Sequence, residues 1–436
     1  MLRIPRYLEY IFICIALWFF IGNPVNLLVN GASGGQIVDV SARRSNSLLP
    51  ILSMGIFAIS SAILFFRWKF ILTRLRANPQ FLLLIGFLFV ISISSLWSFY
   101  PSITSRRSIL FLGSTTLAVL FSLGFTFKQQ LRFLIIALCV NVLLCFIFGL
   151  LIPQYGVMSA PHTGAWRGVY THKNKLGAQM ALTTGVLLVT QYTHLFKDRA
   201  LLATRFFMVL SFFMVVASTS TNGLITTIAI ILTFVVCNAL KLNYRAMVIA
   251  VSSIIFITSS FSLYMQANAD VIFGLFGKGS DLTGRDDIWP ALWHMVSQKP
   301  LLGYGYKGFW GPFGGPADFV RQIAGWPVPN AHNGFIEIFL AVGWIGAILF
   351  FSNFLITTVK SLQMVRLTKE NYSIFPVIFL VFMVLSNLTE SNLFQFDTWI
   401  LYVWASLSPL QVAATYFESQ SESLDKLEFR SSGYFS

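Results

Sequence analysis

Long apolar runs separated by short polar breaks dominate the 436-residue chain. A helix needs about 20 apolar residues to cross the hydrocarbon core of a bilayer. Twelve runs approach this length: 8–28, 48–66, 80–97, 107–126, 131–152, 176–193, 203–218, 223–240, 246–265, 334–359, 373–391 and 395–415. The pattern therefore predicts an all-α polytopic membrane protein, a single integral membrane domain over 1–436 with about twelve transmembrane helices.

The breaks between the runs are short except in one place. Residues 266–333 form the largest predicted loop. Residues 416–436 are rich in Ser and charged residues and are predicted to form a disordered tail. Within the loop, 285–298 has apolar residues spaced for one helix face. These are Ile288, Trp289, Leu292, Trp293 and Val296. Because tryptophan suits the lipid–water boundary, we expect an interfacial helix on the outer leaflet.

The composition agrees with a membrane protein and changes how the charge is interpreted. Hydrophobic residues make up 56% of the chain and charged residues 11%, with a mean hydropathy of +0.73. Soluble domains carry about 25% charged residues, so this class is excluded. The net charge of +14 lies largely in short loops, where basic residues set orientation and meet anionic lipid. We therefore expect membrane lipids as partners and no nucleic acid.

The distribution of basic residues predicts the orientation. If the N-terminus is cytoplasmic, every inner loop is basic, as the positive-inside rule requires. An even number of spans returns the C-terminus to the cytoplasm and places 266–333 on the periplasmic side. Arg3 and Arg6 precede the first run, which we interpret as an uncleaved first helix because many spans follow it.

Metal chemistry is not indicated by any spacing. The four cysteines lie inside apolar runs, where we expect them to be packing residues. The chain has no D-x-D or H-E-x-x-H motif. We therefore expect neither a metal nor another cofactor.

A basic cluster in RGVYTHKNKLG breaks the orientation rule, because it falls in a predicted outer loop. It contains Arg167, His172, Lys173, Asn174 and Lys175, and we predict the first four as substrate-binding residues. An anionic ligand such as a lipid pyrophosphate would account for cations on this side. Anionic lipid headgroups are the alternative.

Arg285 and His332 are the strongest catalytic candidates. Arg285 opens the interfacial helix, where a guanidinium could hold a phosphate bidentately or pair with a neighbouring aspartate. His332 precedes the run at 334–359, where the helix dipole favours a neutral imidazole. A neutral histidine could accept a proton from a sugar hydroxyl. The alternative for His332 is that it caps the helix.

Two acidic residues lie within or beside predicted spans, where ionisable groups are functional candidates. Glu337 is one turn inside the run at 334–359, and Glu390 is near the outer end of 373–391. Either could contact substrate, orient an arginine or share the base role with His332. For Glu337 the alternative is a partly solvated residue at a helix start.

Four motifs in order resemble the O-antigen ligase/polymerase family, and within it the exopolysaccharide polymerases of the ExoQ type. The resemblance covers about 160–395. The motifs are THKNKLG at 171–177, TGRDDIW at 283–289 with PLLGYGYKGF at 300–309, HNGFIEIFLAVGWIG at 332–346 and LTESN at 388–392. We also expect the glycines of 300–309 to let the backbone approach a ligand closely.

This resemblance implies a metal-independent, inverting glycosyltransferase of the GT-C-like kind in the bacterial inner membrane. The donor would be an undecaprenyl-pyrophosphate-linked glycan and the acceptor another glycan, joined on the periplasmic side. Arg285 would bind pyrophosphate, His332 would activate or position the acceptor, and Arg167 and Lys173 would contact donor phosphate. A flippase and a chain-length regulator of the same pathway are the implied protein partners.

One stretch departs from the family pattern. Family members often carry an arginine in an S-x-S-R-type turn, whereas Ser218–Gly223 contains no cation. We expect Arg167 or Lys173 to replace it. The function that we favour is polymerisation of repeat units, with ligation of glycan to lipid A-core as the alternative. A transporter is the second alternative, but it predicts charges at span midplanes and broken helices in paired halves.

Overall fold

The computed structural model describes residues 5–22, 48–76, 80–159, 162–268, 285–368 and 370–409. Within these ranges the protein is helical and contains no strand longer than an isolated bridge. The helices are α1 (Arg6–Gly22), α2 (Leu48–Phe66), α3 (Trp68–Arg76), α4 (Gln80–Ile93), α5 (Pro101–Gly124), α6 (Phe127–Leu151), α7 (Lys173–Thr190), α8 (Asp198–Ala217), α9 (Thr221–Ala239), α10 (Tyr244–Ala267), α11 (Arg285–Gln298), α12 (Asp318–Ala324), α13 (Gly334–Leu367), α14 (Phe375–Thr389) and α15 (396–409). The predicted all-α class is confirmed.

Each predicted apolar run overlaps one of these helices. In the described residues, eight helical segments are long and apolar enough to cross a membrane, and they include α2, α5, α6, α8, α9, α10, α13 and α14. Helix α7 is not among these eight because it is more polar than they are. Its polar residues are tolerated because α8 and α9 pack against it and cover much of its surface. The eight candidate spans are thus established, and the full number of twelve stays a prediction.

Two contacts show which helix ends lie at the same end of the bundle. At one end, the Arg67 guanidinium pairs with the buried Glu9 carboxylate and joins α1 to α2. At the opposite end, Trp97 Nε1 donates to the carbonyl of Leu302 at 3.0 Å. The described part of the large loop, 285–333, therefore packs on the end that lies opposite the Arg67–Glu9 pair.

Helix α11 packs against the protein with most of its apolar stripe. Ile288, Leu292 and Val296 are buried, and Trp289 is half-buried. Only Trp293 is extensively exposed, at 45%. The stripe thus serves chiefly as a packing face, rather than as the lipid-facing surface that its tryptophans suggested. The interfacial position of the helix stays a prediction.

Helix α13 is broken at Gly343, where φ is 60° and ψ is −162°. The break is closed by the segment that follows α11. Tyr304 N donates to the carbonyl of Leu340 at 2.7 Å, and Trp344 N donates to the carbonyl of Pro300 at 2.8 Å. Backbone groups at membrane depth need such partners because lipid offers none. Segment 300–304 therefore completes α13 at its break.

The glycines of this region allow protein segments to meet, and the close approach of a ligand to 300–309 stays a prediction. A Cβ on Gly343 would lie 2.4 Å from the carbonyl carbon of Leu301. A Cβ on Gly303, whose φ is 64°, would lie 2.6 Å from the Leu340 oxygen. Only glycine fits both positions, because the obstructing atoms belong to the backbone.

Candidate functional site

Three of the predicted site residues meet where α7 begins, α13 begins and α14 ends. Asn174 Nδ2 donates to Glu390 Oε1 at 2.9 Å. The other carboxylate oxygen of Glu390, Oε2, lies 3.7 Å from Nδ1 of His332. Glu390 therefore connects two of the motifs, and the LTESN segment that contains it forms the centre of the site.

His332 is held in an unusual backbone conformation and is not the helix cap. Its φ is 48°, and its backbone N–H donates to Asn330 Oδ1 at 2.9 Å. The cap of α13 is Asn333, whose Oδ1 accepts from the N–H groups of Phe335 and Ile336 at 2.9 and 3.2 Å. The capping alternative for His332 is therefore wrong. A left-handed non-glycine residue costs about 1–3 kcal/mol and often marks a functional position.

The imidazole of His332 has an unused nitrogen. Nδ1 is buried and forms no hydrogen bond with any described residue. The 3.7 Å to Glu390 exceeds a hydrogen-bond distance, so the contact is electrostatic. The side chain as a whole is 20% exposed. Catalytic hydrogen bonds are often long before substrate binds and shorten in the complex, so this geometry is compatible with a base oriented by a carboxylate.

His172 is the N-cap of α7. Its Nδ1 accepts from the backbone N–H of Asn174 at 3.2 Å, which satisfies one of the free N–H groups of the first turn. Burial lowers the pKa of His172 to about 4, although the nearby Glu390 carboxylate raises it in part. The ring is therefore neutral at pH 7, and His172 reaches the site as an uncharged group.

Lys173 lies beside the turn that lacks the family's arginine. Its Nζ donates to Thr219 Oγ1 at 3.4 Å, and Thr219 belongs to the turn at Ser218–Gly223. Thr219 has a φ of 51°, and Ser220 caps α9 by accepting from the N–H of Gly223. The structure thus brings a cation to a turn that contains none in its own sequence.

Arg167 is placed differently from Lys173. The side chain is buried, its Nε donates to the carbonyl of Tyr155 at 2.8 Å, and its backbone N–H donates to the carbonyl of Gly156 at 2.8 Å. Burial lowers its pKa. Arg167 therefore supports the loop that precedes α7, and Lys173 contacts the turn through Thr219.

Glu337 joins the segments on either side of the site. It is 5% exposed, and its Oε1 accepts from the N–H of Ala331 at 2.8 Å and from Ser391 Oγ at 3.3 Å. The alternative of a partly solvated helix-start residue is therefore wrong. Glu337 connects the residue before His332 to the residue after Glu390.

The predicted contact of Arg285 with phosphate falls outside the described side chains, since only its backbone, at the start of α11, is described. One turn later, Trp289 Nε1 donates to the carbonyl of Ala331 at 3.0 Å. This bond attaches the first half of α11 to the residue that precedes His332. Segment 285–289 therefore approaches the site.

A cleft of about 460 Å³ opens beside Glu390. Its polar side comes from the start of α7 and from the stretch between the end of α14 and the start of α15. It includes His172, Asn174, Lys175, Glu390, Asn392 and Asp397. Its apolar side comes from α1, α2, α5 and α15, and includes Phe19, Phe20, Leu49, Leu110 and Phe396. The cavity thus has a polar wall and an apolar wall that face each other, so it can contact both polar and apolar groups of one ligand.

The cleft contains an ion pair that the sequence patterns did not predict. Lys175 Nζ lies 2.7 Å from Asp397 Oδ2, which also accepts from Gln179 Nε2 at 2.7 Å. Lys175 and Gln179 are four residues apart, so both lie on one face of α7, and this spacing is a signal of a shared partner. Nothing in the sequence indicates that this face meets Asp397 at the start of α15.

A group of three or more histidine, cysteine or acidic side chains positioned to hold a metal does not occur in the part of the chain that the structure describes. The expectation of metal-independent chemistry stays a prediction. The described polar side chains of the site can form hydrogen bonds, stabilise charge and transfer protons.

Comparison with known proteins supports the family resemblance. A sequence profile described as O-antigen ligase matches residues 206–351, which include Arg285 and His332. The chain is also 25% identical over 281 residues to the exopolysaccharide production protein ExoQ of Rhizobium meliloti (strain 1021). That match covers 62% of this chain and 62% of the rhizobial protein, so it spans less than two thirds of the relative. The resemblance predicted from the motifs is confirmed.

Proposed function

We propose that this protein is a membrane glycosyltransferase of the O-antigen ligase/polymerase family. In this proposal it polymerises undecaprenyl-pyrophosphate-linked repeat units into exopolysaccharide or O-antigen on the outer side of the bacterial inner membrane. The observation that carries the proposal is the meeting of His332, Glu390 and Asn174 beside a cleft of about 460 Å³. The matches to an O-antigen ligase profile and to an exopolysaccharide production protein supply the substrate class.

The proposed topology has twelve spans, both termini in the cytoplasm and the site on the periplasmic side. Support comes from the basic residues of the predicted inner loops, since Arg67 lies at the bundle end opposite the large loop. The exposed Trp293 of α11 supports an interfacial position for that helix, because tryptophan prefers the headgroup region.

In the proposed reaction, the acceptor hydroxyl attacks the anomeric carbon of the donor with inversion. The hydroxyl proton passes to His332, and the bond between the anomeric carbon and the pyrophosphate oxygen breaks. Undecaprenyl pyrophosphate leaves with the electron pair. Glu390 stabilises the imidazolium that forms, while Asn174 fixes the carboxylate through the 2.9 Å bond to Oε1. No cofactor is required, because the pyrophosphate leaving group already activates the donor.

The proposed contacts of the leaving group are Lys173 and Arg285. Cations that face the developing charge of a pyrophosphate lower the barrier, and arginine adds bidentate geometry. Lys173 is suited to this role because its ammonium reaches the Ser218–Gly223 turn. We assign Arg167 to support of the loop that carries Lys173, and Glu337 to alignment of the segments that carry His332 and Glu390.

The ligase alternative uses the same chemistry with a different acceptor, and the name of the matching profile favours it. A transporter is less well supported, because the described helices have one interior break, at Gly343, instead of a pair. The accumulated product in a strain that lacks this protein separates the two enzymes. Single lipid-linked repeats indicate a polymerase, and long chains without their final acceptor indicate a ligase.

The site is tested by His332→Ala and Arg285→Ala in that strain. We expect each variant to insert normally, to yield no polymer and to accumulate lipid-linked single units. His294→Ala is the matched control, because His294 is an exposed histidine of α11 and lies outside the site. Polymer of normal length in both site variants would refute the assignment.

A further inference from the structure

The cleft beside Glu390 carries a charge pattern that is unsuited to pyrophosphate. Its described ionisable lining consists of one cation, Lys175, two carboxylates, Glu390 and Asp397, the imidazole of His172 and the phenol of Tyr170. The single cation is already paired with Asp397 at 2.7 Å. A pyrophosphate in this cleft would face two carboxylates and compete with one of them for the ammonium. Like charges at this range disfavour binding of an anion.

The polar groups that remain are suited to hydroxyls. Carboxylates accept hydrogen bonds from hydroxyl groups, and side-chain amides both donate and accept. Asn174, Asn392 and Gln395 supply amides to the lining, and Glu390 supplies an acceptor. Asn174 Nδ2 already donates to Glu390 and Asn392 Oδ1 accepts from Lys175, so these two amides offer their other polar atom. A neutral ligand with several hydroxyl groups can use all of these without displacing the Lys175–Asp397 pair.

The opposite wall is aromatic and already packed. Phe20 stacks on Phe57 with ring centroids 5.2 Å apart, and Phe396 contacts Phe20 edge-on at 5.6 Å. Phe20 and Phe396 also line the cleft. An apolar wall facing amides and carboxylates is suited to a sugar, whose ring carries both C–H and hydroxyl groups.

We propose that this cleft binds the acceptor sugar, and that the donor pyrophosphate binds on the other side of Glu390, towards Lys173. This inference rests on the proposed function. Glu390 and Asn330 line the cleft, and both contact His332, through its Nδ1 and its backbone N–H respectively. A hydroxyl held at this edge of the cleft would therefore lie next to the proposed base. The cleft volume of about 460 Å³ falls within the range of small-ligand sites.

The test uses full-length protein in detergent and two probes. One probe is the repeat-unit oligosaccharide released by mild acid from the lipid-linked units that the deletion strain accumulates. The other is undecaprenyl pyrophosphate. Gln395→Trp fills the cleft from an exposed position, and Ser102→Trp is the control, since Ser102 is exposed and absent from the lining. Binding is measured by calorimetry after the melting temperatures show that both variants are folded.

We expect Gln395→Trp to weaken oligosaccharide binding by at least about tenfold and to leave undecaprenyl pyrophosphate binding within about twofold. Gln395→Ala, which adds no bulk, should weaken oligosaccharide binding by about three- to tenfold through loss of one hydrogen bond. Loss of undecaprenyl pyrophosphate binding with unchanged oligosaccharide binding would overturn the inference and leave the proposed function standing. Failure of the wild-type protein to bind either probe would instead refute the proposed function.

Discussion

Replacement of Glu390 by glutamine tests the role of its charge with little change in shape. The carboxylate faces Nδ1 of His332 at 3.7 Å, and the substitution Glu390→Gln removes its negative charge. A glutamine carbonyl can still accept the bond from Asn174. In the proposed reaction the imidazole becomes positively charged as it takes the proton, so the loss should be felt mainly in the transition state.

The size of the effect follows from the distance. Two unit charges 3.7 Å apart interact by about 4 kcal/mol at an effective dielectric constant of about 20. Solvent screening reduces this value, because the side chains of His332 and Glu390 are 20% and 24% exposed. An interaction of about 2–4 kcal/mol corresponds to a rate that is about 30- to 1,000-fold lower.

The assay measures the rate at which purified protein converts isolated lipid-linked repeats to longer products, resolved on gels. Glu370→Gln is the matched control, because Glu370 lies beside Lys241 at the other end of the bundle. We expect its rate to equal that of the wild type. If Glu390→Gln also retains a rate within about threefold of the wild type, the proposed electrostatic role of Glu390 is wrong.

Three further predictions follow from features of the fold and the site. Gly343→Ala should destabilise the protein by about 2–5 kcal/mol, from backbone strain and contact with fixed backbone atoms. Gly55→Ala is the control, because no atom lies within 4 Å of its added Cβ, and it should change the stability by no more than about 1 kcal/mol. The stability of both variants is measured by thermal unfolding in detergent. The pKa of His172 is lowered to about 4 in the folded protein, so as the pH falls the unfolded chain binds a proton before the folded one does. The free energy of unfolding should therefore decrease by roughly 3 kcal/mol between about pH 6.5 and pH 4. His172→Asn should remove this part of the pH dependence of the melting temperature, and His194→Asn, at an exposed position, should retain it. Lys173→Met should lower polymer yield by at least about tenfold, whereas Lys173→Arg, which keeps the cation, should preserve most of it; equal yields would refute the leaving-group role.

The helical framework could be predicted because it depends on local properties of the chain. An apolar run of sufficient length has few stable alternatives to a helix in a bilayer, so each predicted run overlaps a helix. The break at Gly343 was not predicted, because the sequence of α13 is apolar through it. Its backbone partners lie in segment 300–304, and such a contact has no local signal.

The candidate site was predicted residue by residue but not as an arrangement. Residue type and position were enough to select His332 and Glu390, and only the fold places Asn174, at the start of α7, against Glu390 at the end of α14. The capping alternative for His332 was wrong because the neighbouring Asn333 performs that role. The expected solvation of Glu337 was wrong because later segments of the chain cover it.

The closure of α13 by segment 300–304 also determines how this protein can be recombined with its relatives. A chimera that takes the segment after α11 from another protein and keeps its own α13 must match two backbones at Gly343. A mismatch would leave the carbonyl of Leu340 and the N–H of Trp344 without partners. Residues 300–304 and 340–345 therefore form one unit of exchange, and chimeras between related proteins should move both segments together.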